Sequence, residues 1–169
     1  MEKKYIISID QSTQGTKALL FDESGSLIRR TDKAHEQMIN EKGWVSHNPA
    51  EIYENVVEVV RKLTEDIDRT LVAGIGISNQ RETSLAWDRK TGEAVGNAIV
   101  WQCARAAGVC ERIEKLGEAE KIRRKTGMNL SPYFPASKIA WILENVEGAK
   151  EKADKGELCH GTVDSWLVF

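Results

Sequence analysis

A chain of 169 residues is long enough for one domain with a proper core and short for two. Its 24 basic and 26 acidic side chains are interspersed and leave a net charge of −2, which excludes a basic nucleic-acid face and a polybasic membrane patch. The three cysteines, Cys103, Cys110 and Cys159, form no CxxC pair and read as reduced thiols of a cytoplasmic protein.

The opening MEKKYIISID sets Lys3 and Lys4 before an apolar run that is too short for a signal peptide. That run, Tyr5 to Ile9, reads as a buried strand. TKALLFD and SLIRRTDKAHEQ follow across polar corners, so the first forty residues predict a three-stranded antiparallel meander. A helix start then stands out. Asn48 is the cap, Pro49 takes the first helical position and Glu51 stands three residues after the cap. Ile52, Val56, Val59, Val60, Leu63 and Ile67 continue as one apolar stripe at the helical period.

VAGIGISNQ is a short β-rich run in which Gly74 and Gly76 predict close approach of a helix or another strand. TSLAWD and RKTGEAV give a further strand and turn. From Ala104 the pattern is helical: one segment closed by Gly117, a shorter one closed by Gly127, then PASKIAWILENV. Cys103 and Cys110 are expected on one buried helix face, with no further ligands at a metal-binding spacing. ELCHGTV reads as a strand and VDSWLVF as the opening of a helix. The order is α/β.

The stretch IDQSTQGTK, residues 9 to 17, raises the first functional question. Taken alone, DQSTQGT is an ordinary hairpin turn, since Asp, Ser, Thr and Gly all favour turns. A strand-end carboxylate followed by small polar residues also suits phosphate binding. Backbone N–H groups and the hydroxyls of Ser12, Thr13 and Thr16 would converge on phosphate oxygens, and Gly15 would allow close backbone approach. Asp10 would hold Mg²⁺, an ion that favours one or two carboxylates and keeps several waters. Lys17 adds a point charge.

GISNQRETSLAWD, NAIVWQC, PYF and KGELCHGTVDSWLVF occur downstream in that order. With the opening turn they resemble the N-terminal part of the FGGY family of carbohydrate kinases, and NQRET and WQC resemble its glycerol kinase branch. The resemblance runs from about Tyr5 to the last residue. It implies a ribonuclease H-like unit of the actin and hexokinase type, incomplete at its C-terminal end. It also implies transfer of the ATP γ-phosphate to a terminal hydroxyl of a small polyol, glycerol above all. By the same resemblance Asp10 belongs to the Mg²⁺–ATP site, and Thr13, Gln14, Gly15 and Lys17 line the nucleotide phosphates. Arg81 and Glu82 would hydrogen-bond the polyol, Trp101 would pack on its carbon backbone, and Tyr133 would donate a further hydroxyl. The chemistry agrees: vicinal hydroxyls both donate and accept, so an Arg fork beside a Glu acceptor serves both roles, and an aromatic wall takes up the C–H surface.

The opening turn departs from the family pattern, DQGTTSSR, at Ser12, Gln14, Gly15 and Lys17, and Ala104 stands where an Arg is usual. Lys17 gives up the bidentate fork of an arginine. A ketose such as xylulose is therefore an alternative substrate, and a non-catalytic module that binds or complements another chain is an alternative role. The resemblance places the proton-accepting Asp, the adenine pocket and the second domain after Phe169. The chain is thus expected to be the first part of kinase domain I, inactive alone, with Trp166, Leu167, Val168 and Phe169 uncovered and prone to self-association.

Overall fold

A computed structural model describes residues 3–169. They fall into two compact units, residues 3–37 with Asn48–Gln80 and Met38–His47 with Arg81–Phe169.

In the first unit, strands β1 (Tyr5–Gln11), β2 (Gly15–Asp22) and β3 (Leu27–Ala34) form the antiparallel meander expected from the polar corners. Alternation along β1 and β2 turns Ile7, Ile9, Ala18 and Leu20 to one face, where all four are buried. Helix α1 (Pro49–Leu63) covers them with Val59 and Leu63. Each such large aliphatic side chain contributes roughly 1.5–3 kcal/mol on burial. Asn48 caps α1 by accepting from the Ala50 N–H at 3.0 Å, a contact worth about 1 kcal/mol. Glu51 does not reach back to the cap. Its carboxylate accepts from the Glu36 N–H, at 3.2 Å to one oxygen. The helix stops at Leu63, so Ile67 lies beyond it, yet Ile67 packs against the same cluster. Arg29 fastens β3 to this end with a fork on Asp66, at 2.6 and 2.8 Å.

After a short 3-10 turn at Arg69–Leu71, β6 (Val72–Asn79) runs parallel to β1, and the sheet order is β3-β2-β1-β6. The crossover through α1 supplies the length that parallel pairing needs. Gly74 and Gly76 do not mark a close approach, because nothing among the described residues lies within 4 Å of a Cβ built on either. The reason is position: β6 is an edge strand, and α1 lies over β2 and β3. Only one face of this sheet is covered among the described residues, and Ile6 on the other is more than half exposed; Ile75, on the same side as its partner Ile7, is equally exposed because it lies on the edge strand.

The second unit holds an antiparallel sheet in the order β4-β5-β8-β7-β9, formed by Met38–Ile39, Val45–His47, Ala98–Ile99, Ser84–Asp88 and Leu158–Thr162 respectively. β7 lies between β8 and β9 and is buried from Ser84 to Trp87. Helices α2 (Ala107–Lys115), α3 (Ala119–Thr126), α4 (Pro135–Asn145), α5 (Ala149–Asp154) and α6 (Val163–Val168) complete the unit. Gly117 and Gly127 end α2 and α3 at φ near +74°, as glycines past a helix terminus do. Cys103 and Cys110 are both buried, but Cys103 sits in the turn before α2 and the two do not share a helix face. The C-terminal run also finds more cover than its sequence suggests. Trp166 and Phe169 each meet the Trp87 ring edge-on at 5.5 Å between centroids, although Val168 and Phe169 remain largely exposed.

Candidate functional site

β1 delivers Asp10 to the open face of its sheet, because Ile9 and Gln11 on either side point into the covered one. β2 pairs Lys17 directly opposite Asp10, and the Lys17 ammonium meets the Asp10 carboxylate at 3.2 Å. Both side chains are about two-fifths exposed, at 40% and 43%. This is a solvent-facing pair that a ligand can rearrange at little cost. A half-exposed strand-end carboxylate suits an ion that takes one or two protein oxygens and keeps its waters, so the donor chemistry at Asp10 fits Mg²⁺.

The turn itself is built differently from its sequence reading. The Ser12 N–H and Ser12 hydroxyl both donate to the Gly15 carbonyl, each at 2.9 Å, so that hydroxyl closes the turn. Thr16 points into the covered face, fully buried, and its hydroxyl has no partner among the described residues. Of the three hydroxyls expected to face phosphate, that of Ser12 is engaged in the turn and that of Thr16 is turned into the covered face, so neither is presented outward. Gly15 is required by the neighbouring strand: a Cβ there would lie 2.6 Å from the Lys33 carbonyl oxygen. Gln14 is exposed at the tip and Thr13 half-buried beside it.

Sequence reasoning missed the glutamine pair behind this turn. Gln11 is fully buried, and its side-chain oxygen accepts from Gln80 Nε2 at 3.1 Å. Gln11 Nε2 donates to the Ser12 carbonyl at 3.0 Å, and the Gln80 N–H donates to the Gln11 carbonyl at 2.7 Å. The turn is therefore anchored from beneath by side-chain amides.

The polyol candidates Arg81, Glu82, Trp101 and Tyr133 all belong to the second unit. Glu82 has φ of 60°, a left-handed conformation that costs a non-glycine residue roughly 1–2 kcal/mol and concentrates at functional positions. The Ser84 hydroxyl holds its carbonyl at 3.0 Å. One Glu82 carboxylate oxygen is buried with no hydrogen-bond partner among the described residues. The next residue, Thr83, accepts the Trp101 N–H at 3.1 Å and so links NQRET to VWQC. The Trp101 and Tyr133 rings meet edge-to-face, 6.0 Å between centroids. Arg81 is exposed. An exposed guanidinium, an acceptor-only carboxylate and two aromatic rings together offer what a polyhydroxylated carbon chain needs.

Lys138 was also invisible in the sequence. This α4 lysine is fully buried, donates to the Pro132 carbonyl at 2.8 Å and also to the Tyr133 carbonyl, and stands 5.8 Å from the Tyr133 ring centroid. Burial pulls its ammonium down to about 8, against the opposing charges of Cys103, Glu82 and Cys110.

The N-terminal domain of the FGGY family of carbohydrate kinases matches residues 5–169. The chain belongs to this family. It is 50% identical to glycerol kinase 1 of Thermotoga maritima over 98% of its own length and 34% of that protein's. It is 46% identical to the glycerol kinase of Bacillus subtilis, again over 98% of its own length and 34% of that protein's. Among solved structures it resembles Plasmodium falciparum glycerol kinase with ADP, at a TM-score of 0.90 and 34% identity over 100% of the chain and 34% of that structure. It also resembles a ligand-bound xylulose kinase of Lactobacillus acidophilus, at a TM-score of 0.82 and 27% identity over 98% of the chain and 33% of that structure. The chain spans about a third of the length of the curated relatives it matches. The ribonuclease H-like α/β class implied by the family motifs is the class these structures share. No helix among the described residues is long and apolar enough to cross a membrane.

Proposed function

We propose that this chain forms the N-terminal part of an ATP-dependent polyol kinase, with glycerol as substrate. The observation that carries the reading is Glu82, held in a left-handed backbone with a buried carboxylate oxygen that lacks a partner among the described residues, next to Arg81 in the chain and one residue before Thr83, which accepts the N–H of Trp101. Strain and an unsatisfied acceptor both cost stability. A substrate hydroxyl donating to Glu82 would recover the second cost. Arg81 would donate to a neighbouring hydroxyl, and the two rings would exclude water from the carbon backbone.

On the nucleotide side, the solvent-facing Asp10–Lys17 pair would separate: Lys17 would turn to a phosphate oxygen, and Asp10 would be the carboxylate that holds Mg²⁺. Thr13 and Gln14 line the phosphates, and Gly15 lies beside them as part of the turn. Mg²⁺, when bound, would neutralise charge on the phosphates. The turn's contribution is positioning, which the buried Gln11–Gln80 pair makes rigid. The remaining domain would supply the base that accepts the hydroxyl proton. Three cysteines free of disulfides suit a cytoplasmic setting. A ketose substrate is the lesser reading, since the likeness to glycerol kinases is closer than that to the xylulose kinase.

The test is titration of the 169-residue chain with glycerol and, separately, with Mg²⁺–ADP, followed by nuclear magnetic resonance. Glycerol should shift residues around Arg81, Glu82 and Trp101, with Arg81→Ala weakening the response at least several-fold. Mg²⁺–ADP should shift Asp10 to Lys17, with Asp10→Asn abolishing the metal dependence. Shifts confined to other surfaces would overturn the assignment.

A further inference from the structure

We propose that Lys138 is a positioning residue of the polyol site, a buried cation whose bonds to two successive carbonyls fix Tyr133 against Trp101. The inference rests on the polyol reading of Arg81, Glu82, Trp101 and Tyr133, and adds to it a residue outside the motifs that carry that reading.

A lysine with no exposed surface is unusual, because desolvating an ammonium costs several kcal/mol unless hydrogen bonds and opposite charge offset it. Lys138 has both. Its Nζ donates to two successive carbonyls, Pro132 and Tyr133, in the turn that leads into α4. Two bonds from one point to adjacent carbonyls hold the peptide plane that carries Tyr133, and the ring that follows lies across Trp101. The Ser137 hydroxyl closes the same turn by donating to the Phe134 carbonyl at 3.0 Å.

The charged and titratable groups that act on the ammonium come from three neighbouring segments and from its own turn. Glu82 comes from the segment before β7, Cys103 from the turn before α2, Cys110 from α2 and Tyr133 from the turn before α4. Glu82 is the one full carboxylate among them. Its partnerless oxygen and strained backbone are what a site poised for a neutral, hydroxyl-bearing ligand leaves available. An ammonium hydrogen-bonded to Glu82 would fill that acceptor. Held instead by the two carbonyls, Lys138 leaves that oxygen open.

The experiment uses the 169-residue chain with ring-labelled tyrosine. The three tyrosines, Tyr5, Tyr53 and Tyr133, give separable signals, and two of them lie in the first unit. In Lys138→Met, Tyr133 should lose the ring-current shift imposed by Trp101 while Tyr5 and Tyr53 stay unmoved. Glycerol affinity should fall by about tenfold, the size expected for one lost charge-assisted contact. Should the variant unfold, raising the pH of the unsubstituted chain discharges Lys138 in place, and the Tyr133 signal and glycerol affinity should change together with a midpoint near 8. A Tyr133 signal that ignores both the substitution and the titration would overturn the proposal. If the unsubstituted chain binds no glycerol at all, the polyol reading fails, while the ligand-free Tyr133 signal still decides the role of Lys138.

Discussion

Gln80 donates its side-chain amide to Gln11 Oε1 at 3.1 Å and so ties together the C-terminal ends of the parallel strands β1 and β6. Removing the donor strands a fully buried acceptor, and a buried polar group left alone costs about 1–3 kcal/mol. Gln80→Leu should therefore lower stability by that amount in urea unfolding, with an unchanged slope. It should also weaken nucleotide binding, because the Ser12 carbonyl loses a donor at 3.4 Å as well.

Glu82 sits at φ of 60°, where glycine carries no penalty. Glu82→Gly should thus raise stability by about 1 kcal/mol while abolishing the glycerol response. Opposite signs in thermal unfolding and in ligand titration would show strain kept for function. A loss of both would show the carboxylate to be structural.

Gly15→Ala drives a Cβ against the Lys33 carbonyl, a backbone atom that cannot swing aside. The expected cost is about 1–3 kcal/mol from overpacking, with β2 and β3 forced apart. Denaturation of the ligand-free variant measures it. A neutral result would mean that the glycine serves the phosphate and not the strand.

Burial places the Lys138 ammonium near 8 in the fold, below its ordinary 10.5. Between those values the unfolded chain holds a proton that the folded chain has shed, so stability rises with pH across that window. Below about pH 8 the folded chain carries the charged ammonium and the part of its desolvation cost that its partners do not offset. Lys138→Met should flatten the alkaline rise relative to the unsubstituted chain, with the thiols and tyrosines common to both. Parallel pH profiles of melting temperature would contradict the burial.

Ile6 on the open face, Ile75 on the edge strand, and Val168 and Phe169 at the C-terminal end leave apolar side chains in water, and apolar surface of this kind drives association. Sedimentation velocity over a concentration series should show reversible self-association. A monomer at every concentration would show that the partial cover Trp87 gives to Trp166 and Phe169 is sufficient.

Much of the first unit was legible because its elements are long and carry strong local signals. The Asn48–Pro49 start and the apolar stripe define α1, and polar corners separate β1, β2 and β3. β4, β5 and β8 were not legible, since strands of two or three residues show no period. At the site, the aromatic partners Trp101 and Tyr133 do meet. The Gln11–Gln80 pair and Lys138 escaped notice because burial of a polar side chain is decided by distant packing. Gln11 and Gln80 are separated by 69 positions, and a lysine in SKIAW looks like any helix-surface charge.

The second unit is interrupted in sequence: residues 38–47 belong to it, 48–80 do not, and the chain returns to it at Arg81. Its β5 must pair Ser46 with Ile99 and His47 with Ala98, a match that cannot form from neighbours along the chain. Closing a loop costs entropy before the contacts it permits are gained, and non-local pairing slows folding for that reason. If residues 48–80 compact first into α1 and β6, the loop that β5 and β8 must close becomes shorter and stiffer. Asn48, which opens that excursion with its cap on α1, then sets the pace at which a different sheet assembles. A residue of the first unit can in this way govern how quickly the newly made chain assembles its second.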